Sequence, residues 1–211
     1  MKERPILFSG AMVRALLDGS KTQTRRIMKP QPKPTPADYP GPAGHWWPSN
    51  EMQSMMHIEE EMQKWSGLAG DCCPHGGAAD RLWVRETWYC DHFEVQRGPY
   101  REVPEARDLL VYRADGERPY EAEQPVWRPS IHMPRWASRI LLEITNVRVE
   151  RLQDIGVEDI EAEGVLTSDA DIMQHGCRAR VLDWKRLWES TGGSWDANPW
   201  VWVVEFKRVV P

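Results

Sequence analysis

Residues 5 to 26 restrict the fold of this chain more than any other stretch, because each part of them positions the next. Pro5-Ile6-Leu7-Phe8 is a short apolar run of the kind that forms a buried strand, and Ser9 is a good helix N-cap. Met12, Val13, Leu16 and Leu17 then share one helical face, and Gly19 suits the left-handed position at which a helix stops. The next stretch, Gly19-Ser20-Lys21-Thr22-Gln23-Thr24-Arg25-Arg26, holds one lysine, two arginines, two threonine hydroxyls and a glutamine, and no carboxylate. In a chain of formal net charge −5 it is the one short stretch dense in donors and positive charge. Read as a strand, it puts Thr22, Thr24 and Arg26 on one face and Lys21, Gln23 and Arg25 on the other. Lys21 and Thr24 then reach one ligand only if the backbone twists or bulges between them. The exit through Gly19-Ser20 makes that possible, because glycine can take backbone angles that re-aim the residues after it.

A chain of 211 residues is long for one small barrel and short for two full domains, so a single domain over 1–211 with long insertions is expected. Twelve tryptophans point to an aromatic-rich core and cleft. The acidic balance argues against a broad grip on a nucleic-acid backbone, which needs many cations in one field, but leaves room for a pocket for one nucleotide. The cysteines at 72, 73, 90 and 177 do not form a disulfide framework, and no apolar run approaches the roughly 20 residues of a membrane span. A soluble, reduced, cytoplasmic protein is expected, with no membrane partner, as a monomer or small homo-oligomer.

Along the chain, the prolines at 30, 32, 34, 36, 40 and 42 mark residues 29–45 as an extended excursion, which Trp46-Trp47-Pro48 could pin back. Residues 46–79 and 91–108 are ill-defined insertions, and Glu51 to Trp65 fits a short helix or a hairpin arm. Cys72-Cys73-Pro74-His75 has thiolates and an imidazole at short spacing, but no second paired knuckle accompanies it, so no metal and no other cofactor is expected. Leu82 and Val84 form one face of a strand, with Trp83 and Arg85 on the other, and Glu86 at its end is either an acid–base candidate or an ion-pair partner for Arg85 or Arg26. Leu109 to Arg113 is a further strand. Trp127 to Trp136 contains two prolines and reads as a shaped loop presenting Ser130, His132 and Arg135. A long strand starts at Ile140, with a slip of phase at Thr145-Asn146 that indicates a bulge. Val157 to Glu163 reads as a short acidic helix stopped by Gly164, residues 165–178 as a loop, and residues 179–190 as an amphipathic helix. Trp200 to Val209 is the last strand, apolar on both faces at its start.

The spacing Gly19-x-Lys21-x-x-Thr24-x-Arg26 resembles the signature of ASCH domains, small β-barrels related to the PUA family. The framing segments Pro5–Ser9, Asp80–Trp88, Pro129–Arg139 and Ser194–Val203 are similar above all to those of phage-encoded ASCH-like proteins. In such proteins a glycine often stands where this chain has Ala79. The resemblance implies an α+β, PUA-like mixed β-barrel with flanking short helices and long insertions. It also implies recognition of single-stranded nucleic acid, a nucleotide or a modified nucleoside, in the host cytoplasm if the chain is phage-encoded. Arg25, Arg26, Trp83, Glu86, Ser130, His132 and Arg135 are the ligand-binding candidates. Some small ASCH proteins are amidohydrolases that deacetylate N4-acetylcytidine with a lysine, a threonine and a later glutamate. Lys21 and Thr24 stand at the first two positions, and Asp183 at what looks like the third, with Glu86 or Glu189 as substitutes. A third class, a structural or interaction protein of a phage particle, finds no heptads or repeats to support it.

Overall fold

The computed structural model describes residues 1–34, 38, 46–47, 56–59, 64–67, 72–92, 95, 100, 102–116 and 127–209. In chain order the elements are β1 (Glu3–Leu7), α1 (Gly10–Asp18), β2 (Gln23–Ile27), β3 (Lys33–Pro34), β4 (Trp46–Trp47), β5 (Met56–Glu59), β6 (Lys64–Gly67), β7 (Arg81–Arg85), β8 (Trp88–Cys90) and β9 (Leu110–Tyr112). After these come β10 (Leu141–Arg151), α2 (Val157–Ala162), α3 (Asp169–His175), α4 (Cys177–Ser190) and β11 (Trp200–Val209).

The fold is α+β. Its main sheet runs β1-β7-β10-β11-β2, with β6 also paired to β10 and β5 paired to β6. Only β1 and β7 run parallel; the other pairings are antiparallel. The expected closed barrel is not formed: β1 and β2 end the path, and no strand pair joins them among the described residues. Helix α1 comes directly after β1, so the chain between the two edge strands is spent on a helix that packs on the sheet rather than on a ladder between them.

Strand β11 is the centre of the core. Trp200, Trp202, Val204 and Phe206 join one buried cluster with Ile6, Val13, Leu16, Leu82 and Leu142. Val201 and Val203 face the other way, onto Ile160, Trp184 and Trp188. Burial on both faces is what the two-sided apolar start of this strand implies. The register of β10 against β11 shifts between Ile144 and Asn146, a bulge where the change of phase predicts one.

Local signals account for the first elements. Ser9 Oγ accepts from the Met12 amide at 3.5 Å, and Gly19 ends α1 at φ 85°. Ala79 has φ 68°, a left-handed angle that glycine takes at lower cost. Within the insertions, 56–59 and 64–67 form an antiparallel hairpin rather than a helix, and Lys33–Pro34 pairs with Trp46–Trp47. Residues 35–37 and 39–45 of the Pro-rich excursion lie outside the described residues. Residues 165–178 are not simply a loop, because Ser168 caps α3 through its hydroxyl, which accepts from the Asp171 amide.

Candidate functional site

The basic octet changes partners part-way along. Lys21 forms an isolated antiparallel bridge with Glu163, and its amide donates to Ala15 O at 2.9 Å. Thr22 N donates to Ala162 O, while Thr22 O accepts from Phe206 N. From Gln23 onward the chain is β2, paired to β11. The segment thus leaves the end of α2 and joins the sheet within two residues. That switch removes the opposite-face constraint of an ideal strand, and Lys21 and Thr24 both line one cavity.

The cavity has a volume of about 480 Å³, within the roughly 300–1,000 Å³ typical of small-molecule sites. One wall is Leu7, Phe8 and Met12 from the β1–α1 junction; the opposite wall is Trp184, Leu187 and Trp188 of α4 with Gly192-Gly193 beyond it. Between them lie Lys21, Thr24, Arg25, Arg26, Lys29, His75 and Glu163.

At its floor, Lys21 Nζ donates to Glu163 Oε2 at 2.7 Å and to the Glu163 carbonyl at 2.8 Å. Lys21 is 4 % exposed and Glu163 2 %. Burial lowers the Lys21 ammonium from its ordinary value, against the pull of the Glu163 carboxylate and with the help of Arg26 and Arg25. Gly164 makes the approach possible: at φ +78°, a Cβ there would lie 2.7 Å from Ala15 Cβ and 3.0 Å from Lys21 Cβ. Any side chain would push the end of α2 off the lysine.

Arg25 belongs to the support. Its guanidinium reaches Asp159 at 2.8 Å, Glu150 at 3.1 Å and Glu163 at 3.4 Å, and Gln23 also donates to Asp159. Arg148 ties Glu150, Asp159 and Glu205 into the same network. Such a buried network fixes where the Glu163 carboxylate sits. Thr24 is buried at the cavity wall, and no hydrogen bond engages its hydroxyl among the described residues. Arg26 packs its guanidinium over Phe8, 5.2 Å from the ring centroid, and donates from Nη2 to Leu7 O.

The α4 wall carries two indole N–H groups, those of Trp184 and Trp188, that are buried with no hydrogen-bond partner among the described residues. The rings lie 5.9 Å apart. Gly193 has no room for a Cβ, which would collide with the Trp188 indole. The two rings give this wall an aromatic surface against which a flat ligand can lie.

Of the residues named from sequence, the structure brings Lys21, Thr24, Arg25 and Arg26 together. The carboxylates expected to join them lie elsewhere. Asp183 pairs with Arg186 at 3.0 Å on the surface of α4, Glu189 lies 3.7 Å from Lys185, and neither lines the cavity. Glu86 is bound by Arg139 at 2.9 Å, in a separate buried site. Trp83 is in the sheet with Arg85 over its ring, 4.6 Å from the centroid. The Pro129–Trp136 loop is built around two single 3-10 turns; Arg135 pairs with Glu3 at 2.8 Å, and Ser130 and His132 stand clear of the cavity.

Two residues of the site, Glu163 and His75, are not among those the sequence points to. A signal for Glu163 exists: a carboxylate immediately before a helix-stopping glycine, which places it at a helix end rather than on an exposed face. His75 stands out in the sequence only as a metal ligand. Burial, Arg26 and Arg4 push its imidazole down to about 4, so it faces the cavity neutral. The Cys73 thiol is pushed up to about 11 by burial, and among the described residues no cluster of His, Cys, Asp or Glu is arranged to hold a metal ion. No helix there is long and apolar enough to cross a membrane. Comparison with family models, with curated proteins and with solved structures yields no match for this chain.

Proposed function

We propose that the cavity is the active site of an amidohydrolase that removes an acyl group from the exocyclic amine of a cytidine-type nucleoside. Lys21, Thr24 and Glu163 carry the chemistry. The observation that supports this most is the buried Lys21–Glu163 pair at 2.7 Å beside the Thr24 wall. The likeness to ASCH domains supplies the substrate class, and kinship with their PUA-like barrels is part of the same proposal.

The pair holds one transferable proton. Burial lowers Lys21, and so reduces the cost of moving that proton from Nζ to the carboxylate. With the proton on Glu163, Lys21 is a neutral amine and takes the proton of Thr24 Oγ1 as the oxygen attacks the acyl carbon. The bond from that carbon to the exocyclic nitrogen breaks, and Glu163 protonates the departing amine. Water then hydrolyses the Thr24 ester, releasing the carboxylic acid and restoring the hydroxyl. The base lies against the rings of Trp184 and Trp188.

Recognition of a nucleotide or nucleic-acid segment without turnover is the second reading. It draws on the Lys21 ammonium, which already donates to both the Glu163 carboxylate and carbonyl, an arrangement that favours the charged, non-basic lysine. Incubation with N4-acetylcytidine and a panel of other acylated nucleosides, read out by mass spectrometry, separates the two. Loss of the acyl mass by the parent, with its absence in Thr24→Ala, supports hydrolysis. An unchanged panel with saturable binding overturns it in favour of recognition.

A further inference from the structure

We infer that the substrate carries a terminal phosphate, a mononucleotide rather than a free nucleoside, and that Arg26 and Lys29 hold that phosphate at the cavity mouth. This deepens the hydrolase reading above and rests on it for the base and the acyl group.

Although the chain carries a formal net charge of −5, the cavity is lined by Lys21, Arg25, Arg26 and Lys29 against the single carboxylate of Glu163. The inner two cations are spoken for: Lys21 by Glu163, and Arg25 by Glu150, Asp159 and Glu163. Arg26 and Lys29 have no carboxylate partner among the described residues. Arg26 is partly buried, and is oriented by its bond to Leu7 O and by the Phe8 ring; its Nε is buried without a hydrogen bond. Lys29 is exposed at the rim. An uncompensated, pre-oriented guanidinium beside an ammonium is an arrangement that recognises phosphate oxygens. The His75 imidazole reports the same field, since Arg26 and Arg4 help to keep it unprotonated.

Position agrees with charge. Thr24 and Arg26 are two residues apart on one face of β2, roughly 7 Å at about 3.3 Å per residue. Lys29 lies further along the same chain toward the outside. A nucleotide with its acylated base at Thr24 and Lys21 therefore extends outward to its phosphate at Arg26 and Lys29. Two unpaired cations fit one phosphate group and are too few to grip a polymer backbone.

The test is calorimetric binding of cytidine and cytidine 5′-monophosphate at low and high salt, alongside turnover of N4-acetylcytidine and its 5′-monophosphate. The nucleotide is expected to bind about ten- to a hundredfold more tightly at low salt, the size of a charge-assisted hydrogen bond or two, with the ratio shrinking in high salt. Lys29→Met, a change at an exposed position that leaves folding intact, is expected to remove most of that ratio, and Arg26→Gln to remove it with a larger loss of overall affinity. Equal binding of cytidine and its monophosphate overturns the phosphate seat even if acyl hydrolysis is found. A nucleotide preference with neither acyl substrate consumed overturns the hydrolase reading and leaves the seat standing. An oligonucleotide that binds more tightly than the mononucleotide, with a salt dependence of many phosphates, overturns the mononucleotide assignment.

Discussion

Two buried carboxylates divide this molecule, and they differ in the cation each was given. Glu86, 1 % exposed, receives two parallel hydrogen bonds from Arg139, whose guanidinium also binds Asp115 and stacks 4.0 Å over Tyr112. Glu163, 2 % exposed, receives the Lys21 ammonium at 2.7 Å, with the Arg25 guanidinium further off at 3.4 Å. A guanidinium stays charged in any protein environment, so burial can only raise Glu86 itself, and does. An ammonium gives up its proton when desolvated, and burial lowers Lys21. The first pair is closed on itself and outside the cavity; the second opens on a cavity with a threonine hydroxyl at its wall. Burial of a charge pair therefore says little by itself. What separates a structural clamp from a proton-transfer pair is whether one partner can become neutral, and whether there is space beside it.

The largest effects that test this contrast are expected at the floor of the cavity. Thr24→Ala is expected to abolish acyl hydrolysis and Thr24→Ser to retain part of it, while Glu163→Gln and Lys21→Met lose about 10²–10⁴-fold in turnover. Single-turnover assays on variants with confirmed melting transitions check this, and a Glu163→Gln protein with parental turnover would falsify the role of that carboxylate. On the other side, Glu86→Ala leaves Arg139 with Asp115 as its remaining carboxylate partner and is expected to cost about 1–3 kcal/mol in urea unfolding, with parental turnover per folded molecule. A loss below about 1 kcal/mol would mean that the clamp is not structural.

The third expectation is a pH effect. The His75 imidazole has a folded value of about 4 against 6.5 when unfolded, so the unfolded chain binds the extra proton between those values. Stability therefore falls as pH drops from 6.5 to about 4, and His75→Gln is expected to flatten that part of the stability profile. An unchanged slope in the variant would show that the imidazole is not held neutral by the fold. The smallest effect concerns the carboxylates of α4. Asp183→Asn and Glu189→Gln are expected to change stability by no more than about 0.5 kcal/mol and turnover not at all, because both are surface pairs outside the cavity. A turnover loss in Asp183→Asn comparable to that of Glu163→Gln would return the acid to α4.

Much of the chain is legible in its residues. Helix α1 between Ser9 and Gly19, the last strand buried on both faces and the bulge at Thr145-Asn146 all come from short-range signals: capping, period and change of phase. The basic octet is equally plain, because eight consecutive residues without a carboxylate need no tertiary context to be noticed. The carboxylate that meets Lys21 is not, for a physical reason. Glu163 is separated from Lys21 by 142 residues, and its place depends on α2 ending where Gly164 has no Cβ. A sequence shows that an acidic residue precedes a glycine, but not which lysine that helix end will touch. The choice between open sheet and closed barrel has the same character. It turns on whether β1 and β2, each locally an ordinary strand, find one another as edges, and strand pairing across the chain is a property of packing, with no local signal to announce it. Residue order was enough to set the elements and the donors of the site, because those depend on near neighbours; which buried charge each donor would face depended on contacts between distant segments, and so on the packed chain.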